Sequence, residues 1–204
     1  MKKLAIIVLC ALAVSCGKTP QQKAEVLIKE AMQKTLVLPD SYQAVETKLD
    51  SAFTPYHDPA FVTAVLDICK NGVEIDKLDA KMNHAKSSMS IWSGPYISSF
   101  GKEQYRQAKE EYENAKNRYD ALVAKVQSTA EGLRKQIEKE PEFIGYRVHH
   151  RYRANNNAGN TLLGGKYFLI NPDFTAIIAQ WNEEEIEAYN TFLQQAAEAA
   201  ELQQ

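Results

Sequence analysis

The sequence predicts an α+β fold, mainly α, in which a long antiparallel helical hairpin of coiled-coil type is joined to a small antiparallel β-meander with flanking helices. Three observations predict it. Apolar residues recur every seven positions from Phe61 to Trp92, they do so again from Tyr105 to Leu133, and after Pro141 the period drops to two. A sevenfold period marks a helical seam, and a twofold period marks a strand with one face turned inward. The chain has 204 residues, enough to bury a core of its own.

Each element can be justified in order. Thr19-Pro20-Gln21-Gln22 reads as a helix start, with Thr19 as cap, Pro20 in the first turn and Gln22 reaching back. Ala24, Leu27, Ile28 and Ala31 give that helix one apolar face, and it should end before Pro39. Residues 42–53 alternate imperfectly and read as a short strand or extended segment. Asp58-Pro59 caps the next helix. Its seam runs Phe61, Ile68, Ile75, Met82 and Met89, with Ala64, Asn71, Leu78, Ala85 and Trp92 three further on. Asn71-Gly72 allows a kink or break there, since Gly costs ~1 kcal/mol against Ala in a helix. Ser93-Gly94-Pro95 ends it.

Residues 101–140 form the longest helical stretch, with Tyr105, Tyr112, Tyr119, Val126 and Leu133 seven apart. Ala108, Ala115, Leu122, Thr129 and Gln136 lie three further on. Two such arms joined by a short connection should fold back on one another, although the seams alone also suit an intermolecular bundle. After Pro141, Ile144, Tyr146, Val148, His150 and Tyr152 fall on one side of a strand, and Arg147, His149, Arg151 and Arg153 on the other. Residues 161–170 read as its partner and 174–181 as a third strand, making a three-stranded meander. Asn182, with Glu185 three places on, starts a last helix whose stripe is Ile186, Tyr189, Leu193, Ala196, Ala197 and Ala200.

The N-terminus carries an address. Met1-Lys2-Lys3 is basic, Leu4 to Val14 is an unbroken apolar run, and Ser15-Cys16 follows. The run is shorter than the ~20 residues a membrane-spanning helix needs, and its order is that of a secretory signal. Ala13-Val14-Ser15-Cys16 resembles the lipobox of bacterial lipoproteins, with Ala13 where that family usually has Leu. The resemblance implies that Cys16 is acylated and becomes the first mature residue. Three acyl chains would give stable anchoring to a membrane, since each buried methylene contributes ~0.8 kcal/mol. Gly17 follows in place of the Asp that retains lipoproteins in the inner membrane, so the outer membrane is favoured over the inner. The overall plan also resembles small uncharacterised envelope lipoproteins of gut-type Gram-negative bacteria, a resemblance that carries no activity with it.

The chain therefore divides into a signal peptide (1–15), an N-terminal linker, helix and extended segment (16–57), the hairpin (58–140), and the meander with its C-terminal helix (141–204), packed against the N-terminal segment. Cys10 leaves with the signal and Cys16 is acylated, so Cys69 is the one cysteine left and no internal disulfide can form. Loss of Lys2 and Lys3 leaves 22 basic against 26 acidic residues. That balance argues against a nucleic-acid partner.

The most specific polar feature is the row Arg147, His149, Arg151 and Arg153, which Lys166 on the next strand could join. Guanidinium groups pair with planar anions, so the row could bind a glycan acid or lipid phosphate. The commoner reading of such a row is a solvated face, or one that pairs with the acidic helices. His149 and His150 point to opposite faces and cannot share a metal ion, while His57 and His84 fall in unrelated segments. Gly164-Gly165 reads as a bulge or a close approach. No nucleophile elbow, phosphate-binding glycine loop or zinc-protease motif is present, and no cofactor is called for. The leading expectation is a lipid-anchored, non-enzymatic scaffold or interaction protein with a protein partner in the envelope. A binding module for an anionic envelope ligand comes second. A hydrolase comes third, and it would need a deep pocket placing His149 or His150 beside a carboxylate.

Overall fold

The computed structural model describes residues 18–95 and 97–201. The signal segment 1–15 and the lipidation at Cys16 lie outside the described residues. In chain order the elements are α1 (Pro20–Thr35), a 3-10 turn (Pro39–Ser41), β1 (Gln43–Phe53), α2 (Pro59–Ile91), α3 (Ser99–Ile137), β2 (Phe143–Asn155), β3 (Thr161–Ile170), β4 (Ile177–Asn182) and α4 (Glu183–Glu201). The fold is α+β and mainly helical. Its antiparallel sheet has the order β1-β2-β3-β4. Among the described residues no helix is long and apolar enough to cross a membrane.

Local chemistry sets the helix starts. Thr19 Oγ1 accepts from the Gln22 amide at 3.3 Å while Gln22 Oε1 accepts from the Thr19 amide at 2.9 Å, a reciprocal cap. Asp58 accepts from the Ala60 amide at 2.7 Å at the head of α2. Ser98 accepts from the Gly101 amide at 3.2 Å, which starts α3 two residues before the expected position. At α4, Glu185 Oε2 accepts from the Asn182 amide at 2.9 Å.

The sheet has one strand more than the meander read from the sequence. β1 pairs antiparallel with β2, from Gln43 opposite Arg153 to Phe53 opposite Phe143, with a register shift after Ala44. The physical reason is the open edge of β2. A 13-residue strand would otherwise leave a row of unpaired N–H and C=O groups, and the extended segment 43–53 caps them. β4 is also shorter than the expected third strand, because Asn171 Oδ1 accepts from the Thr175 and Ala176 amides and holds the start of that segment in a turn.

The two faces of β2 feed two separate cores. Val148 packs with Phe168 and Ile170 against Ala24, Ile28 and Met32 of α1. On the opposite face, Tyr167 and Trp181 pack on a cluster built from Phe61, Val62, Val65 and Leu66 of α2, Leu133 of α3, and Ile186 and Tyr189 of α4. The sheet thus lies between α1 on one side and α2, α3 and α4 on the other. Tyr189 anchors α4 by donating to the Tyr56 carbonyl at 2.7 Å.

α2 and α3 stay in contact beyond this head. Leu78 and Met82 bury against Ala115, with Tyr112, Tyr119 and Leu122 around them. Glu74 pairs with Arg118 at 2.9 Å, Lys86 lies over the Tyr112 ring at 5.4 Å, and Trp92 meets Phe100 edge-on at 5.8 Å. As numbering rises along α2, its partners on α3 fall, so the two helices run in opposite directions. α2 continues unbroken through Asn71-Gly72.

Glycines mark the tight places. Gly145 has φ +138° and its α-carbon faces the Ile170 carbonyl, where a Cβ would collide with backbone. The Tyr152 ring lies over Gly164, and the Glu183 carboxylate occupies the space a Cβ would take at Gly165. The β2–β3 register is continuous there, so the pair is a close approach and not a bulge. Gly72, by contrast, has nothing within 4 Å of the Cβ position. Gly72→Ala is therefore expected to stabilise the protein by about 1 kcal/mol through helix propensity. Gly145→Ala is expected to destabilise it by about 3 kcal/mol through backbone strain and collision. Urea unfolding of the two variants checks both signs.

Candidate functional site

β2 organises the polar groups as well as the cores. Residues directly opposed across an antiparallel pair point to the same side of a sheet. Arg147, His149, Arg151 and Arg153 therefore share a face with Asp50, Lys48, Glu46 and Gln43 of β1 and with Leu169, Tyr167, Gly165 and Leu163 of β3. Lys166 is opposite His150 and turns to the other face. The expectation that it joins the arginine row is thus corrected: the register places Gly165, not Lys166, beside Arg151.

The row is also partly neutralised. Arg147 faces Asp50 Oδ2 at 3.8 Å. His149 Nε2 and Glu183 Oε1 are 2.7 Å apart, and the His149 ring stacks on Tyr167 with centroids 4.4 Å apart. Glu183 reaches His149 because β4 ends at Asn182 and α4 begins at once, which folds the carboxylate back over Gly165. The Glu183-Glu184-Glu185 run reads from sequence only as charge suited to a helix N-terminus. The signal for the His149 contact was Gly165, the residue whose missing Cβ leaves room for it. Arg151, opposite Glu46, and Arg153, opposite Gln43, make no ion pair among the described residues and remain the accessible cations of the row.

Arg147 also borders a cavity lined by Tyr56, His57, Tyr167, Trp181 and Tyr189, with a volume of about 20 Å³. That is room for one water molecule. Neither His149 nor His150 lines it. The His149–Glu183 pair can orient an imidazole and pass a proton, but it lies on the sheet face outside this cavity. His57 Nδ1 accepts from the Phe53 amide at 3.0 Å, and burial, then Arg147, hold its pKa below the ordinary value.

On the opposite face, His150 is fully buried. Its Nε2 lies 2.8 Å from the Tyr42 hydroxyl and its Nδ1 3.0 Å from the Thr47 hydroxyl, so each ring nitrogen has a partner that can donate or accept. Tyr42 and Thr47, which sequence reasoning did not connect with His150, come from the turn before β1 and from β1 itself. Burial pushes the Tyr42 phenol up to about 12, with Glu25 and Tyr152 adding to the rise. Burial lowers the His150 pKa against the opposing pull of Glu25. This is a core histidine with both nitrogens satisfied. Cys69 lies half-buried in a groove between α2 and α4 beside Gly72, Val73 and Phe192, and burial raises its thiol pKa.

These shifts have a definite sign. A histidine whose folded-state pKa is depressed takes up its proton first in the unfolded chain, so acid favours unfolding. The contribution of His150 and His57 is intact above pH ~6.5 and is lost as pH falls toward their lowered folded-state values. Urea midpoints are expected to fall between pH ~7.5 and pH ~5.5, and His150→Gln to flatten that dependence. No family model matches the chain, and no curated protein or solved structure matches it.

Proposed function

We propose that this chain is a lipid-anchored, non-enzymatic protein of the cell envelope that acts as a scaffold or interaction module. In this reading Cys16 is acylated and tethers the chain to a membrane, the outer one in preference to the inner. The α2–α3 pair is an antiparallel, coiled-coil-like helical hairpin that presents its length to an envelope protein partner. The observation that carries the reading is the sustained packing of α2 on α3. Phe61 and Leu133 share one cluster, Leu78, Met82 and Ala115 a second, and Trp92 meets Phe100 beyond both. Helices of 33 and 39 residues thus pack on each other through successive clusters along their length. The outward faces are laced with pairs such as Arg106–Glu103 at 2.6 Å and Lys109–Glu113 at 3.8 Å, which suit a solvated arm.

A second reading is favoured by one observation, the guanidinium groups of Arg151 and Arg153 on the sheet face, which make no ion pair among the described residues. They could receive an anionic envelope ligand, a glycan acid or a phosphate. Binding of a phosphorylated glycan should then weaken as salt rises, and Arg151→Ala with Arg153→Ala should abolish it. Unchanged binding in that double variant rejects this reading.

The leading reading is tested at the tether and along the arm. Cys16→Ser is expected to abolish metabolic incorporation of a fatty-acid label and to release the chain from the membrane fraction. Photo-crosslinking groups at Val73 and Lys109, both exposed on the arm, are expected to give one discrete heavier species in intact cells. Unlabelled wild-type protein sinks the tether, and crosslinks that form only from the sheet face sink the arm as the interaction surface.

A further inference from the structure

The end of the α2–α3 pair farthest from the sheet combines two features. The first is exposed apolar surface. Ile91 is 73% exposed and Phe100 63% exposed. Trp92 packs edge-on against Phe100, and its ring lies over Gly101. Trp92, Ile97, Tyr105 and Lys102 line a shallow open groove beside them. Side chains of this size left in water forgo the favourable burial of their apolar area.

The second is charge. In a chain with more acidic than basic residues, no Asp or Glu occurs between Asp79 and Glu103. Lys81, Lys86 and Lys102 fall in that interval, and all three are exposed. Glu103, the first carboxylate after the turn, is held by Arg106 at 2.6 Å. The tip is therefore apolar and aromatic, with Lys102 lining its groove and Lys86 farther back over Tyr112, and its nearest carboxylate is already paired.

A bilayer surface of anionic lipid meets these requirements together. Aliphatic and phenyl groups enter the acyl boundary, indole and phenol rings settle at headgroup depth, and lysines face lipid phosphates. A stable protein interface buries ~800 Å² per partner, which asks for a broader patch than these few exposed side chains. A membrane, in contrast, accepts each side chain on its own. We propose that the tip formed by Ile91, Trp92, Ile97 and Phe100, with Lys102 beside it, docks onto an anionic lipid bilayer. The proposal uses only these residues and stands whether or not Cys16 is acylated.

The chain has two tryptophans, Trp92 and Trp181, so Trp181→Phe leaves Trp92 as the sole indole reporter. The full chain carrying that change is mixed with vesicles of brominated phosphatidylcholine, with or without phosphatidylglycerol. Trp92 emission is expected to shift to the blue and be quenched when phosphatidylglycerol is present, and to recover in high salt. Ile91→Ser with Phe100→Ser should remove the quenching. Lys102→Gln, an exposed position, should raise the lipid concentration needed by about fivefold, and Lys86→Gln, farther from the tip, by less. Arg151→Ala with Arg153→Ala should leave the quenching unchanged, which separates the tip from the sheet face. Trp92 emission that ignores both vesicles overturns the proposal. So does quenching that is equal in both vesicles and indifferent to the lysine changes, or that is lost with the arginine changes.

Discussion

The twofold alternation of β2 is the constraint on which the rest of the molecule depends. Its inward residues on one side, Val148 and His150, are fully buried on the α1 face. Those on the other side, Arg147 and His149, lie beside Tyr167 and the α2–α4 core. A slip of one residue would exchange the two sets, placing arginines against Ile28 and Met32 and aliphatic groups against Glu183. Such a slip is prevented at separate points along the β2–β3 pairing. Gly145 accommodates the Ile170 carbonyl, and Gly164 and Gly165 accommodate Tyr152 and Glu183. Each contact fits only one register.

Much of this architecture was legible because it is periodic. The sevenfold spacing from Phe61 located α2, that from Tyr105 located α3, and the twofold spacing after Pro141 located β2 with the correct residues on each face. Capping chemistry at Thr19, Asp58 and Asn182 marked three helix starts. Other parts depended on partners far away in the chain. Residues 43–53 alternate too weakly to declare a long strand by themselves, and they become one because β2 offers a free edge. Asn71-Gly72 looked like a weak point by propensity alone, yet packing of Ile68 below and Leu78 above carries α2 across it.

The polar site shows the same division. The arginine row was visible from alternation alone, but its electrostatic character was not, since that depends on what lies opposite. Asp50 and Glu46 come from β1, and Glu183 arrives from the first residue of α4. Lys166 could be assigned to a face only once the β2–β3 register was known. Buried His150 meets Tyr42 and Thr47 from more than a hundred positions away, and no local pattern announces such a contact. Its value to the protein is specificity. A histidine with both nitrogens partnered inside an apolar layer accepts one arrangement of its neighbours, and an aliphatic residue there would accept several.

One helix belongs to two compartments of the structure. α2 supplies Phe61, Val65 and Leu66 to the head and Leu78, Met82 and Ala85 to the distal pairing, with no loop between them. A pull or twist at the far turn is therefore delivered to the layer beneath the sheet by a rigid shaft. The head cannot ignore what the distal end touches. Leverage of this kind would turn contact at one extremity into a torque on Tyr167 and Trp181, some dozens of residues away along the chain yet mechanically adjacent.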